Sequence, residues 1–418
     1  MKQQIYLFLT VAASFIAGCR DLDAGKAVVE DGLWTEVQRM VERREIPGAI
    51  GVLCDDGVEK MGVFGFADME KKRPMTMDSA FMQCSQTKGF CAVTVAVLIE
   101  EGKVNLDDPV STYLPEFAKL KVLEKTPDGK GEVVRPAKTA VTLRMCLNHT
   151  GGFAFELPNF TAMGGWSRRM PLRSVAAVAA GIPLLFEPGT EAEYSNVGID
   201  IAAAIVEVVS GMRWERFLQT RVLDPLEMKE TGFWPTEGQL SGMIELYDIQ
   251  DGMTAKWRNS NPMMGRPYSD DRVFPSAGAG LWTTARDQLK FYKMLMNLGL
   301  GENGTRILSE DTVKTLLARS SRLKGIRVHD KETVEDDYSL GLNAPQPEDD
   351  GENAWFGHGG AWGTICMVNW RRRRLKLWVA QLCGKSREWD AARRGVEDRF
   401  FKGRDVGLSG ERFTGRTK

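Results

Sequence analysis

A serine and a lysine stand three residues apart at Ser85 and Lys88, directly before an apolar run from Cys91 to Ile99. A run without a polar face is typical of a buried helix, and the start of a helix has backbone N–H groups without a partner inside it. Because residues three apart share one face of a helix, we expect the Lys88 amine to lie beside the Ser85 hydroxyl. The pair is a candidate nucleophile with a base that takes its proton.

The S-x-x-K spacing is weak evidence by itself, because Ser321 and Lys324 repeat it in a polar, basic stretch that Gly325 interrupts. No buried helix is predicted to follow this second copy, so we interpret it as surface. The copy at Ser85 has a strand-rich segment before it and an apolar helix after it. The alternative for that copy is a serine that only caps the helix, followed by a surface lysine.

Two further motifs strengthen the interpretation of Ser85 as a nucleophile. Tyr194-Ser195-Asn196 is the only Y-x-N sequence in the chain, and His358-Gly359-Gly360 opens a predicted late strand. His149-Thr150-Gly151 has the same H-x-G pattern. It falls at the junction of a helix and a loop, so we favour His358, whose strand has an edge that can line a cleft.

The composition restricts the partners and cofactors of the chain. Its 418 residues suffice for one large domain or two packed ones, and a formal net charge of −1 gives no reason to expect a nucleic acid. The 3 histidines lack metal-ligand spacing, so we expect neither a metal nor another cofactor. The cysteines after Cys19 are interpreted as small buried hydrophobic residues; they are Cys54, Cys84, Cys91, Cys146, Cys366 and Cys383.

Residues 1–18 have the pattern of a signal peptide, with a charged start and an apolar run that ends at Gly18. Ile16-Ala17-Gly18-Cys19 resembles the lipobox of bacterial lipoproteins, which implies cleavage before Cys19 and lipidation of its thiol. Residues 19–30 would then be a tether. Arg20 follows Cys19, and this favours the periplasmic face of the outer membrane in a Gram-negative cell. A plain secretory signal with an incidental Cys19 is the alternative.

Strands are predicted near both ends of the chain. A helix from Leu33 to Arg44 precedes two strands that join at Asp55-Asp56-Gly57, a hairpin-turn sequence. A second hairpin is predicted from Gly357–Trp370 and Leu375–Leu382. The four arginines at 371–374 are interpreted as its solvated turn, since the overall charge balance gives no support for a nucleic-acid patch.

Helices are predicted between these strands. The order favours a sheet built from both chain ends, about residues 31–90 and 275–402, beside a mostly helical part at about 91–274. Residues Ala277–Thr284 are predicted to form a strand that leads into a helix. Residues 403–418 are expected to be a flexible tail.

The motifs Ser85-Gln-Thr-Lys88, Tyr194-Ser-Asn196 and His358-Gly-Gly360 resemble, in order and spacing, those of a known superfamily. It is the class C β-lactamase and penicillin-binding-protein superfamily of serine hydrolases, and the similarity extends over most of the chain. The resemblance implies an α/β (α+β) fold. In that fold an antiparallel sheet from both chain ends is flanked by helices and accompanied by a helical subdomain, here within residues 31–402.

The resemblance also implies a role for each motif residue. Ser85 would attack an acyl carbon and form an acyl-enzyme, with Lys88 and Tyr194 jointly as base and proton shuttle. Which of the two holds the proton at each step is left open. Asn196 would hold the substrate's amide. The backbone N–H groups of Ser85 and Ala361 would form the oxyanion hole.

The third motif departs from the β-lactamase pattern. His358 stands where β-lactamases usually have a lysine, and Gly359 stands where they have a hydroxyl residue. A lysine keeps its charge at neutral pH whereas a histidine mostly does not, so a fixed cation for a substrate carboxylate is weakened. This pattern resembles the D-alanyl-D-alanine carboxypeptidase and esterase branch, in which His358, Gly359 and Gly360 would contact substrate.

We therefore expect a serine hydrolase that cleaves an ester or amide through an acyl-serine intermediate, on substrates that include peptidoglycan peptides. A class C-like β-lactamase acting on β-lactams is one alternative. A non-catalytic module that binds cell-wall peptides is the alternative of another class, and intact Ser85, Lys88 and Tyr194 count against it.

Overall fold

The structure is a computed structural model, and it describes residues 32–128, 130–159, 170–250, 253–256, 274–327, 333–345, 354–383 and 386–402. The expected signal peptide, the tether with Cys19 and the tail 403–418 lie outside these residues and stay predictions. Within the described ranges, no helix has the length and apolar character needed to cross a membrane. The same ranges contain no group of three His, Cys, Asp or Glu side chains that could hold a metal ion.

The helices and strands of the described residues follow one another mostly in runs of one kind. The helices are α1 Thr35–Glu42, α2 Thr87–Glu100, α3 Leu143–Leu147, α4 Leu172–Ala180, α5 Asn196–Ser210, α6 Trp214–Leu218, α7 Glu237–Gly242, α8 Ala285–Met296, α9 Glu310–Leu317 and α10 Arg387–Lys402. The strands are β1 Gly48–Asp55, β2 Val58–Asp68, β3 Arg73–Pro74, β4 Phe81–Met82, β5 Lys121–Lys125, β6 Glu132–Pro136, β7 Tyr247–Gln250, β8 Met253–Lys256, β9 Trp282–Thr283, β10 Ser321–Arg327, β11 Thr333–Tyr338, β12 Phe356–Gly360, β13 Thr364–Asn369, β14 Arg374–Val379 and β15 Leu382–Cys383.

The main sheet of the described residues has 6 strands in the order β12-β13-β14-β1-β2-β3. All its pairs are antiparallel, and β1 lies between β14 and β2. The centre of the sheet is thus formed where the two chain ends meet, which confirms the predicted architecture. β12 is one of its two edge strands, so the third motif lies at an edge of the sheet, where Asn343 forms a bridge to Gly357.

Both predicted hairpins are present. Asp56 and Gly57 have positive φ angles of 43° and 89°, the conformation that the turn between two adjacent strands requires. In the second hairpin the turn from 370 to 373 carries the arginines, of which Arg371, Arg372 and Arg373 are exposed. These charges are solvated, as expected.

Helices cover both faces of the sheet. On one face α1 and α10 pack through a cluster in which the Trp34 ring meets the Trp378 ring edge-on at 5.5 Å. On the other face α8 packs against β13 and β14. Helix α2 is buried on every side from Thr87 to Leu98 and packs against α5. The nucleophile candidate therefore stands at the start of the most deeply buried helix of the core.

The middle of the chain contains more strand than predicted. Besides its helices, it holds the antiparallel pairs β5–β6 and β7–β8. Residues Lys121–Lys125 expose three of their five side chains and carry lysines and a glutamate, so the hydrophobic alternation that identifies a strand is weak there. The predicted strand 277–284 is also shorter, since only Trp282–Thr283 is extended and paired, with β4.

Candidate active site

Ser85 lies in a single 3-10 turn, Cys84–Gln86, that leads directly into α2. A side-chain hydrogen bond stabilises this turn, since the Thr87 hydroxyl donates to the Cys84 carbonyl at 2.6 Å. Cys84 has a φ of 52°, a left-handed conformation that is uncommon for a residue with a side chain. This bend leaves Ser85 partly exposed while both of its neighbours are buried. The local structure thus presents the hydroxyl at the surface of a rigid helix.

The Lys88 amine lies on the same face of this segment as Ser85. Its Nζ is 3.3 Å from the Ser85 Oγ, 2.5 Å from the Asn196 Oδ1 and 2.7 Å from the Gly278 carbonyl oxygen. The whole residue is buried. A neutral amine has two hydrogens and one lone pair. If the two hydrogens go to the Asn196 Oδ1 and the Gly278 carbonyl oxygen, which can only accept, the lone pair faces the Ser85 hydroxyl.

Burial lowers the pKa of Lys88 to about 7, against the opposing effects of the Glu156 and Asp200 carboxylates. An unperturbed lysine has a pKa of about 10.4 and is almost entirely protonated at neutral pH. A lysine near 7 holds the free base in a large fraction of molecules. The buried environment thus gives Lys88 the property that a general base needs.

The Gly278 carbonyl is a part of the site that the sequence did not predict. Gly278 lies in the loop between Phe274 and β9. The Gly278 N–H and the Ala277 N–H donate to the Asp200 carboxylate on α5, at 3.2 and 2.8 Å. A Cβ on Gly278 would lie 2.7 Å from the Asn196 side chain. Only a glycine can approach so closely, and this approach sets its carbonyl against Lys88.

Tyr194 is buried above the amine, with the Lys88 Nζ 4.5 Å from the centre of its ring. Burial raises the pKa of Tyr194 far above its ordinary value, although its hydrogen bond with Ser85 opposes this. The phenol therefore keeps its proton at neutral pH. The prediction left open whether Lys88 or Tyr194 is the base. The lowered pKa of Lys88 and the raised pKa of Tyr194 favour Lys88 as the base and Tyr194 as a proton donor.

His358 is held as a neutral imidazole. Its Nδ1 lies 2.5 Å from the Gly359 carbonyl oxygen, and because a carbonyl can only accept, the proton of the ring is at Nδ1. The Nε2 then accepts from the Tyr338 hydroxyl at 2.9 Å, and the Tyr194 hydroxyl oxygen lies 3.2 Å from the same nitrogen. Burial and the nearby Lys88 lower the pKa of His358 to about 3. Hence the third motif provides no positive charge.

Asn196 makes contacts within the protein that the sequence analysis did not predict. Its Oδ1 accepts from Lys88, and its Nδ2 donates to the Glu156 carboxylate at 2.6 Å. Both ends of the amide are thus bound within the protein, and one Nδ2 hydrogen remains for a substrate. In this structure Asn196 supports Lys88 first. Its contact with the substrate's amide stays a prediction.

The edge strand β12 is fixed against the nucleophile segment. The Gln86 side-chain amide donates to the His358 carbonyl at 3.0 Å. A Cβ on Gly360 would lie 2.4 Å from the Gln83 carbonyl oxygen, whereas one on Gly359 would meet nothing closer than 3.5 Å. Gly360 therefore allows the strand to pass close to the segment before Ser85.

Ala361 is the first residue of the turn after β12 and is exposed. Burial raises the pKa of the Cys84 thiol to about 12, and hydrogen bonds from the Trp362 and Ala361 backbones partly oppose this. The predicted oxyanion donor thus has its N–H beside the side chain that precedes Ser85. Its role in holding an oxyanion stays a prediction.

His149, which the sequence analysis set aside, lies behind Tyr194. Its Nδ1 accepts from the Ser195 N–H at 3.2 Å and its carbonyl from the Glu193 N–H at 3.0 Å. Its ring centre is 4.6 Å from that of Tyr194 and 4.4 Å from that of Tyr338. Burial lowers its pKa well below the ordinary value. The sequence shows a histidine followed by Thr-Gly at the end of a helix, but it does not show that this histidine packs against Tyr194 and Tyr338.

The second S-x-x-K copy is not part of this site. Ser321 begins strand β10, and its hydroxyl donates to the Asn148 carbonyl at 2.6 Å. The residues from Ser321 to Arg327 are strand rather than helix. The helical spacing that would bring a lysine beside the serine is therefore absent there.

The family model described as Beta-lactamase matches residues 35–394. Protein Rv1367c of Mycobacterium tuberculosis is 31% identical over 306 residues, which cover 70% of this chain and 72% of that protein. Esterase EstB of Burkholderia gladioli is 28% identical over 301 residues, covering 67% of this chain and 72% of EstB.

Similarity to solved structures agrees with this match at the level of the fold. Unliganded simvastatin synthase LovD from Aspergillus terreus has a TM-score of 0.69 at 20% identity, over 90% of this chain and 98% of that one. EstCE1, described as a hydrolase with promiscuous acyltransferase activity, has a TM-score of 0.69 at 22% identity, over 87% of this chain and 97% of that one. Because the family model spans most of the sequence, the chain belongs to the beta-lactamase family of serine hydrolases.

Proposed function

We propose that the protein hydrolyses carboxylic esters through an acyl-enzyme on Ser85, with Lys88 as the general base. The observation that supports this most directly is the buried Lys88 amine at 3.3 Å from the Ser85 hydroxyl. In the neutral amine, its two hydrogens go to the Asn196 and Gly278 oxygens, at 2.5 and 2.7 Å. The lone pair is therefore directed at the proton that must leave the nucleophile.

The proposed reaction has two halves. In the first, Lys88 takes the Ser85 proton while the serine oxygen bonds to the acyl carbon, and the negative charge develops on the carbonyl oxygen. Backbone N–H groups of Ser85 and Ala361 are proposed to bind that oxygen; one such donor typically contributes about 2.7–4 kcal/mol. The bond to the alcohol then breaks, and the alcohol leaves with a proton. In the second half, Lys88 takes a proton from water while the water oxygen bonds to the acyl carbon; the bond to the Ser85 oxygen then breaks, that oxygen regains the proton, and the acid is released.

Tyr194 is proposed to deliver the proton to the leaving alcohol. Its hydroxyl is hydrogen-bonded with Ser85 and is 3.2 Å from the His358 Nε2. Because burial keeps the phenol protonated, it can donate to the alkoxide and recover a proton from the Lys88 ammonium. The neutral His358 and Tyr338 would then orient this hydroxyl rather than exchange protons themselves.

Esters without a carboxylate are proposed as the preferred substrates. The pKa of His358, lowered to about 3, leaves the third motif uncharged at neutral pH, so a β-lactam or peptide carboxylate has no fixed cation there. The similarity to esterase EstB supports the same choice. Cell-wall peptides and β-lactams are the competing substrate classes.

Labelling with a fluorescent alkyl phosphonate tests the nucleophile. Wild type should be labelled and Ser85→Ala should not, while Ser321→Ala, in the second S-x-x-K copy, should be labelled as wild type. Equal labelling of Ser85→Ala refutes the nucleophile assignment.

Substrate panels test the class. We expect turnover of p-nitrophenyl acetate and butyrate, with nitrocefin and a D-alanyl-D-alanine peptide at least a hundredfold slower in kcat/KM. Faster nitrocefin turnover would establish a β-lactamase, and faster peptide turnover a carboxypeptidase. Peptide binding without turnover of any substrate would favour the non-catalytic module.

Export and lipid anchoring are proposed from the sequence alone. The apolar run up to Gly18 and the Cys19 that follows it are the basis for this proposal. In a Gram-negative host, the Cys19→Ser variant should leave the membrane fraction while wild type stays in it. Membrane retention of the variant would refute lipidation at Cys19.

A further inference from the structure

Glu156 lies beside the proposed base, outside the three motifs. Its carboxylate accepts a hydrogen bond from the Asn196 Nδ2 at 2.6 Å, and the Oδ1 of the same amide accepts from the Lys88 Nζ at 2.5 Å. A carboxylate can only accept, so the contact with Glu156 fixes which end of the Asn196 amide faces the lysine. The orientation of the amide follows from Glu156 and not from Lys88 alone.

The segment that contains Glu156 is bound to the second motif at two other points. The Asn196 N–H donates to the Phe155 carbonyl at 2.9 Å, and the Ser195 hydroxyl donates to the Ala154 carbonyl at 2.7 Å. The exposed Phe155 ring also stacks on the Tyr194 ring, with centres 6.1 Å apart. The three consecutive residues 154–156 thus all contact the segment Tyr194–Asn196. The contact of Glu156 with Asn196 is therefore part of a docked segment.

The carboxylate also acts on the charge of Lys88. Several other groups surround the amine. The Asp200 carboxylate and the thiols of Cys84 and Cys91 favour its protonated form, as Glu156 does. His149 and His358 lie close enough for their charged forms to be opposed by Lys88. Asp200 is buried and holds the Gly278 loop, whereas Glu156 is partly exposed, so a glutamine at 156 removes the charge and keeps an acceptor for Asn196.

We propose that Glu156 is a positioning residue that orients Asn196, and that its negative charge sets the pH at which Lys88 becomes a free base. This inference rests on the proposed role of Lys88 in the hydrolysis. The negative charge of Glu156 keeps Lys88 protonated to a higher pH than burial alone would allow. The same contact holds the acceptor that keeps the amine directed at Ser85.

The test compares pH profiles of Ser85 labelling by the phosphonate, which needs no turnover. Glu156→Gln keeps an acceptor for Asn196 but removes the charge. The midpoint of its rise with pH should move down by roughly half to one pH unit, with the limiting rate within a few-fold of wild type. Glu156→Ala is the second neutral variant, and it should show the same shift with a lower limiting rate, because Asn196 is no longer oriented. Glu191→Gln removes an exposed carboxylate near Tyr194 in sequence and should keep the wild-type midpoint.

A wild-type midpoint in both Glu156→Gln and Glu156→Ala overturns the inference. So does an equal shift in Glu191→Gln, since any surface charge would then have the same effect. Circular dichroism and thermal unfolding establish that each variant is folded before its profile is measured. Labelling of Ser85→Ala would instead refute the proposed nucleophile, so failure of the function and failure of the inference give different results.

Discussion

The Lys88 amine lies 3.3 Å from the Ser85 hydroxyl, and Lys88 is buried whereas Ser85 is partly exposed. Their burial differs, and this difference defines their chemistry. The amine is shielded from water, which destabilises its charge. The hydroxyl is partly exposed, so an acyl carbon can reach it.

Acylation should depend on pH through Lys88. Its pKa of about 7 means that the rate should rise tenfold per pH unit below pH 7 and level off above it. Because the pKa of Tyr194 is raised far above the ordinary value, no fall should follow up to pH about 9, where an ordinary tyrosine still holds its proton. The measurement is kcat/KM for p-nitrophenyl acetate from pH 5 to 9. A rate that still rises tenfold per pH unit at pH 9 would mean that the base has a pKa above 9, which contradicts Lys88 as a base with a lowered pKa.

The lowered pKa of Lys88 should also appear in the stability. An unfolded lysine holds its proton up to pH about 10.4, whereas folded Lys88 loses it near 7. Between these values the unfolded state binds more protons. The free energy of unfolding therefore rises with pH, by at most about 1.4 kcal/mol per pH unit.

Urea unfolding of wild type and Lys88→Met at pH 7, 8 and 9 measures this effect. Other titrating groups are common to both proteins, so the difference between their unfolding free energies should grow in favour of wild type as pH rises. A difference that stays constant over these pH values would show that Lys88 keeps an ordinary pKa in the folded protein.

His149 should act through Tyr194. His149→Leu leaves the buried Ser195 N–H without its acceptor, which costs about 1–3 kcal/mol, and removes the ring packed on Tyr194. We expect kcat to fall about tenfold or more with KM little changed, since the loss affects proton delivery more than binding. His149→Asn should recover much of kcat, because Asn tolerates the φ of 66° and offers an acceptor near the position of Nδ1.

Steady-state kinetics of the two variants distinguish this from a general loss of folding. Unfolding of His149→Leu should be only moderately easier, and the recovery in His149→Asn should be larger in kcat than in stability. Equal kcat values in the two variants would exclude a role for the acceptor at this position.

Local sequence predicted the parts of the fold that depend on near neighbours. The turn at Asp56-Gly57 follows from residues that adopt positive φ, and the burial of α2 follows from its apolar composition. The prediction failed where composition was ambiguous, as in the charged, exposed β5–β6 hairpin. These elements obtain their order from pairing and not from a hydrophobic pattern.

The supporting residues of the site could not be predicted because the fold brings them together from distant positions. The Gly278 carbonyl reaches Lys88 across 190 residues of sequence, and Glu156 reaches Asn196 across 40. Neither residue belongs to a motif. Tyr338 also lies outside every motif, at the end of β11, and its hydroxyl contacts the His358 ring. Motifs identified the proposed reacting groups, but the groups that set their charge and direction appeared only in three dimensions.

Gly360 and Gly359 offer a matched test of how closely the edge strand must approach Ser85. In Gly360→Ala the new Cβ would be 2.4 Å from the Gln83 carbonyl oxygen and 2.2 Å from the Thr364 Oγ1. The threonine side chain can rotate, but the backbone carbonyl cannot move without moving the turn that holds Ser85. We expect a loss of about 1–3 kcal/mol in stability. A shift of about 1 Å in the strand should lower kcat on the order of a hundredfold.

Gly359→Ala is the control, because its new Cβ meets only ordinary contacts at 3.5 Å and beyond. Its stability should be close to that of wild type, and any effect on KM would then report contact between residue 359 and the substrate. Urea unfolding and steady-state kinetics on p-nitrophenyl acetate measure both quantities. If Gly360→Ala keeps wild-type kcat, the close packing of β12 on the nucleophile turn is not required for catalysis, and the proposed oxyanion contact at Ala361 loses its structural basis.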